Sequence, residues 1–222
     1  MRLRRGFLCF SPPNELPPVI ESPAEIAGHL TFGSFNNVAK ISRSAYTAWV
    51  EILKRVPHSH LRFKYGKSFG SKWMQEQVRS RFASAGIDTR RLEFLPAMPT
   101  LSEHLSAIGG VDVALDSFPY HGTMTTLETL TMSVPVIALR GQTYSRRASS
   151  AMLTRLGADE LVATRWNNTS TWPSPSRAIL IACGSCVKSC GRGFLTAKSA
   201  TCQLTPQNSK RRIVVYGKSG AT

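Results

Sequence analysis

Acidic residues are scarce in this chain, and from Asn167 onward they are missing altogether. The 222 residues hold 28 Lys or Arg against 13 Asp or Glu, and residues 167–222 hold eight Lys or Arg with no acid. A net charge of +15 suits anionic partners in general, including nucleotides, nucleic acids and acidic surfaces, without choosing among them. The basic residues are scattered and no nucleic-acid-binding motif accompanies them, so nucleic acid is not the expected partner. Long apolar runs are lacking too: none approaches the roughly 18 residues of a membrane span. Met1 to Phe10 is basic and then briefly apolar, and Ser11-Pro12-Pro13 breaks it before a secretory core could form. A cytoplasmic location is therefore expected. No 34-residue period is present. No glycine fingerprint follows the first strand-like run, which argues against a nicotinamide cofactor.

What is present has a clear rhythm. Residues 1–28 are rich in proline (Pro12, Pro13, Pro17, Pro18, Pro23) and read as an extended lead-in. From His29 strand-like and helix-like segments alternate. Strands are expected at Leu30–Phe35, Leu61–Tyr65, Leu92–Leu95, Val111–Leu115, Val134–Leu139 and Leu161–Ala163. Between them, Ser42 is a helix N-cap ahead of the stripe Ala45, Trp49, Ile52, Leu53 and Val56, closed by Pro57. Met74, Val78 and Phe82 recur at four-residue spacing, with Gly86 placed as a C-terminal cap. Further helices are expected over Ser102–Ile108, from Met124, and over Arg146–Leu156. This pattern predicts an α/β fold: a Rossmann-like parallel sheet with helices on both faces, spanning residues 29–166. Ligands of such sheets bind beyond the carboxyl ends of the strands.

Residues 167–222 break the rhythm. Ser, Thr and Gly dominate, and Cys183, Cys186, Cys190 and Cys202 cluster there. The C-x2-C-x3-C spacing has the look of a zinc site, but no histidine joins it and Cys202 is distant, so no metal is expected. The blander reading is a basic tail with no packed structure of its own. An out-of-frame replacement of an original C-terminus would also explain the missing acids.

The segment Asp116 to Glu128 carries the most chemistry. A buried strand leads through Ser117-Phe118-Pro119-Tyr120-His121-Gly122 to a helix start at Thr123-Met124-Thr125-Thr126. Free N–H groups and the dipole at a helix N-terminus favour an anion, and threonine hydroxyls can add bonds. Plain N-capping by Thr123 or Thr125 is the alternative.

Together with Thr31-Phe32-Gly33-Ser34-Phe35-Asn36-Asn37-Val38-Ala39-Lys40-Ile41 and Val134-Pro135-Val136, this segment resembles the C-terminal half of the O-linked N-acetylglucosamine transferase family, which includes the SPINDLY proteins. The resemblance runs from about His29 to Thr164. It implies the C-terminal half of a GT-B glycosyltransferase fold, a UDP-sugar donor (usually UDP-N-acetylglucosamine), transfer to Ser or Thr of an acceptor protein, and no metal or other cofactor. It also implies site roles. Lys40 matches the lysine that stabilises the leaving diphosphate, and Asn37 a polar amide near the donor. Met98 falls near the base, and His104 matches a donor-site histidine. Gly122, Thr123, Thr125 and Thr126 match the diphosphate turn, and Glu128 the acid that holds the ribose. Met124, His121, Ala107 and Ser133 depart from the family pattern, Ser133 standing where glycine is usual. The family's N-terminal catalytic half, with its candidate general base, and its tetratricopeptide repeats have no counterpart in these residues. The resemblance thus implies a donor-binding half that is incomplete on its own. A non-catalytic truncated remnant is the other expectation.

Overall fold

The computed structural model describes residue 8, residues 10–20 and residues 23–164. The cysteine cluster and the basic tail lie outside the described residues. Six strands form one sheet: β1 (Thr31–Ser34), β2 (His60–Lys64), β3 (Leu92–Leu95), β4 (Val113–Leu115), β5 (Val136–Leu139) and β6 (Val162–Ala163). Their order is β3-β2-β1-β4-β5-β6, and every pairing is parallel. The helices are α1 (Pro23–Ala27), α2 (Arg43–Arg55), α3 (Lys72–Ala83), α4 (Leu101–Gly109), α5 (Met124–Thr131) and α6 (Ala148–Arg155).

Strand alternation sorts the helices onto two faces. Phe32, Leu61, Phe63, Val113, Leu115 and Ile137 point to one face, where Trp49 and Leu53 of α2 and Val78 and Phe82 of α3 pack on them. Ala114 and Val136 point the other way, into a cluster with Leu105 and Ile108 of α4 and Met132 after α5. Ala138 follows the same parity and meets Leu153 of α6. The doubly covered sheet expected from the sequence is therefore present. Its order reverses between β1 and β4, the switch point where ligands of such sheets lodge.

Local signals account for the element ends. Ser42 caps α2, its hydroxyl accepting from Ala45 N–H at 3.1 Å. Thr100 and Glu103 form a reciprocal capping box on α4. Gly86, at φ +81°, lets the chain turn after α3 while Ile87 N–H donates to Phe82 O.

The lead-in departs from expectation in two places. Pro23–Ala27 is helical, and Ala24 N–H donates to Asp112 Oδ1 at 2.9 Å. Phe10 is buried against Leu127, Ala148 and Met152. A large apolar ring gains more by filling the gap between α5 and α6 than by staying in water.

Ser133, between α5 and β5, has φ +62°. This left-handed conformation costs a residue with a Cβ about 1 kcal/mol relative to glycine. Ser133→Gly is expected to raise stability by about that amount in urea unfolding, with the midpoint rising and the slope unchanged.

Candidate functional site

Two turns meet above the switch point. The first follows β1. Asn37 accepts from Ala39 N–H through its side-chain oxygen at 3.0 Å, capping the short 3-10 turn Val38–Lys40 that ends on the lysine. The second follows β4 and runs from Asp116 to Thr123, with a cis bond at Phe118–Pro119. Three contacts join them. Lys40 Nζ donates to His121 O at 3.2 Å and lies 4.5 Å from the centre of the Tyr120 ring. Ser42 Oγ donates to Phe118 O at 2.6 Å. Ile41 and Pro119 form an isolated antiparallel bridge. Lys40 and the turn that leads into α5, distant in sequence, are thereby brought to one place.

Beneath the second turn lies a buried polar hub that sequence reasoning did not single out. Asp116 Oδ1 accepts from Asn36 Nδ2 at 3.0 Å, from Ser117 N–H at 2.9 Å and from Gly122 N–H at 2.9 Å. Asn36 and Asp116 are both buried, Asn36 two residues past the end of β1 and Asp116 directly after β4. Gly122 has no room for a side chain. A Cβ there would stand 2.8 Å from Thr126 Oγ1 and 2.9 Å from Asn36 Oδ1. His121 turns inward too: Nε2 donates to Leu139 O at 2.8 Å, and Nδ1 accepts from Ser149 N–H at 3.2 Å. The ring thus ties the turn to the end of β5 and the start of α6.

At the head of α5, Thr123 occupies the cap position, but its side chain makes no capping bond. The plain-capping alternative is therefore not what the structure holds for Thr123. Thr125 is half-buried and Met124 is about half exposed. Thr126 departs from the expected line of hydroxyls. It is buried, with Oγ1 at 2.8 Å from Ser149 Oγ, so it braces the turn from below.

A second group lies on the α4 side. His104 Nε2 is 3.2 Å from Glu128 Oε2, uniting two residues expected at the donor site. Lys64, the last residue of β2, donates to His104 Nδ1 and completes a Lys64–His104–Glu128 chain. Burial pushes the Lys64 ammonium below its ordinary range, while the Glu128 charge opposes that. Lys64 was not singled out from the sequence. The signal was the alternation of His60, Arg62 and Lys64 with apolar Leu61 and Phe63, which puts three cationic or titratable groups on one face. Arg62, on that same face, donates to Gly110 O at 2.8 Å and pins the end of α4. Met98 is half-buried in the loop after β3, on the same carboxyl edge as the other turns.

The family description "Glycosyl transferase family 41" matches residues 26–171, well over half the chain. The chain belongs to glycosyl transferase family 41. It is 38% identical over 167 residues to the rice (Oryza sativa subsp. japonica) protein named "Probable UDP-N-acetylglucosamine--peptide N-acetylglucosaminyltransferase SPINDLY", covering 75% of this chain and 18% of that protein. The tomato (Solanum lycopersicum) protein of the same name is 37% identical over 163 residues, covering 73% and 17%. The chain therefore spans less than a fifth of the length of these relatives. A solved structure of a mutant O-GlcNAc transferase from Thermobaculum terrenum superposes with a TM-score of 0.76 at 29% identity, covering 89% of this chain and 36% of that one. The C-terminal domain of a group 1 glycosyl transferase from Francisella tularensis superposes at 0.54 and 14% identity, covering 82% and 94%, a likeness of fold alone. The family 41 domain is thus the C-terminal, Rossmann-like half of a GT-B glycosyltransferase fold. Among the described residues, no helix is long and apolar enough to cross a membrane.

Proposed function

We propose that this family 41 chain is the donor-binding half of a protein O-glycosyltransferase, with residues 29–166 holding UDP-N-acetylglucosamine for transfer to Ser or Thr of an acceptor protein. The observation that carries the reading is the meeting of Lys40 Nζ with His121 O at 3.2 Å, beside the uncapped head of α5. A cation beside a helix N-terminus is a combination that suits a diphosphate, which supports the reading.

Cleavage of the sugar–phosphate bond moves an electron pair onto the departing UDP. Lys40 and the N–H groups of Thr123 to Thr125 stabilise the charge that grows there, more strongly than they stabilise the ground state. Asn37 holds the turn that aims Lys40. Gly122 lets the backbone approach closely, and Thr123 and Thr125 add hydroxyl donors while Thr126 supports them. Glu128 accepts from a ribose hydroxyl, oriented by His104, and Met98 flanks the base. No metal is needed for this chemistry, because the cation is a side chain.

Transfer also requires an acceptor hydroxyl at near-attack distance and a base to take its proton. Both would come from a facing catalytic half, on this or another polypeptide. A tetratricopeptide region would present the acceptor protein, and the cytoplasm is the setting this reading suits.

The test is calorimetric titration of UDP into the folded chain. Saturable binding with a rise in melting temperature supports the reading. Neither heat nor a melting shift at millimolar UDP overturns it.

A further inference from the structure

Three neighbouring strands bring metal-binding side chains together at the amino edge of the sheet, the end opposite the candidate donor site. His29 stands just before β1, His60 opens β2 and Glu93 is second in β3. Thr31 pairs with His60, and Arg62 with Glu93. Strand alternation therefore puts His60, Arg62 and Glu93 on one face, and His29, two residues before Thr31, follows the same parity. The His29 and His60 rings stack with centroids 3.8 Å apart and planes 24° apart. His60 Nδ1 lies 3.0 Å from Glu93 Oε1. One ligand atom from each of the three falls within 4.8 Å of the others.

We propose that His29, His60 and Glu93 form a binding site for a divalent transition metal of the zinc or nickel class. Two imidazoles and one carboxylate favour these ions over magnesium or calcium, which prefer all-oxygen shells. Three protein ligands leave the remaining positions to water, as in open rather than closed metal sites. Two of the ligands sit on paired strands, so their spacing is set by the backbone before any ion arrives. His29 is half-buried and follows Gly28 at φ +72°. Turning its ring out of the stack aims a lone pair at the ion. Arg62 Nε donates to Glu93 Oε2 at 2.7 Å, which holds the carboxylate in place and leaves Oε1 toward the two rings. The site would clamp β1, β2 and β3 together at the edge remote from the donor cleft.

The experiment is titration of the full chain with Ni2+, followed by calorimetry and near-ultraviolet absorption, for wild type, His29→Asn and His60→Gln. The absorption separates this site from Cys183, Cys186, Cys190 and Cys202, since thiolate ligation gives sulfur-to-nickel charge-transfer bands and nitrogen or oxygen ligation does not. The expected result is a binding event without those bands, weakened about tenfold or more in each variant. UDP binding is expected to be unchanged by either substitution, so failure here and failure of the donor reading are distinguishable. His29→Asn is the decisive variant, because it removes no described hydrogen bond of the fold. Equal Ni2+ binding by wild type and His29→Asn, binding seen only with thiolate bands, or no binding by wild type overturns the proposal.

Discussion

Replacing Lys40 with alanine is expected to weaken UDP binding by about tenfold to a hundredfold, the largest change in affinity any single side chain here should cause. A charge-assisted contact contributes on the order of 1.5–3 kcal/mol, and about 1.4 kcal/mol is a factor of ten. The fold should lose only a modest share of its stability. Lys40 is half-buried, and its described contacts, the bond to His121 O and the approach to the Tyr120 ring, together contribute on the order of 2 kcal/mol. The signature is a large affinity loss with a melting temperature within a few degrees of wild type. Lys40→Arg should recover part of the affinity, since the charge returns with a different shape. UDP affinity within twofold of wild type in Lys40→Ala would remove the lysine from the binding site.

Asp116→Ala should produce the opposite signature, a large stability loss. One carboxylate oxygen serves three buried donors: Asn36 Nδ2, Ser117 N–H and Gly122 N–H. Leaving a buried donor unpaired costs roughly 1–3 kcal/mol, so truncation should cost on the order of 3 kcal/mol or more. For a protein of ordinary stability that is a large share of the whole. Asp116→Asn keeps an acceptor at Oδ1 and should fall between alanine and wild type. Denaturant unfolding of the three proteins gives the order directly. UDP affinity should drop in Asp116→Ala even where the protein remains folded, because the Gly122 N–H loses its anchor. Stability of Asp116→Ala equal to that of Asp116→Asn would show that the three bonds do not act through one oxygen.

The sheet was legible in the sequence because its strands are runs of apolar residues bounded by turn formers. β3 falls on Leu92–Leu95, the expected residues, and β4 and β5 start two residues later than expected. Val111 and Val134 are buried but belong to the approach rather than to the ladder. The meeting of the Lys40 turn with the Asp116–Thr123 turn was legible only through resemblance, since nothing in local periodicity says that two βα turns 80 residues apart touch. Thr126 shows what a motif leaves open. A row of hydroxyls looks alike on paper, but the helix sends one side chain in four or so toward the core, and Thr126 is that one. Phe10 was invisible for another reason. Its burial depends on a cavity between α5 and α6 that exists only after they pack. Lys64, by contrast, could have been found from the alternation along β2.

The staple between the two turns has a mechanical consequence. Ser42 to Phe118, Ile41 to Pro119 and Lys40 to His121 are cross-links that do not pass through the sheet. They tie the two turns into a single body, so that a nucleotide bound there, as proposed, would order little and forfeit little entropy. Amide exchange with heavy water should report the same thing, with the backbone around 39–42 and 117–122 opening together rather than in turn.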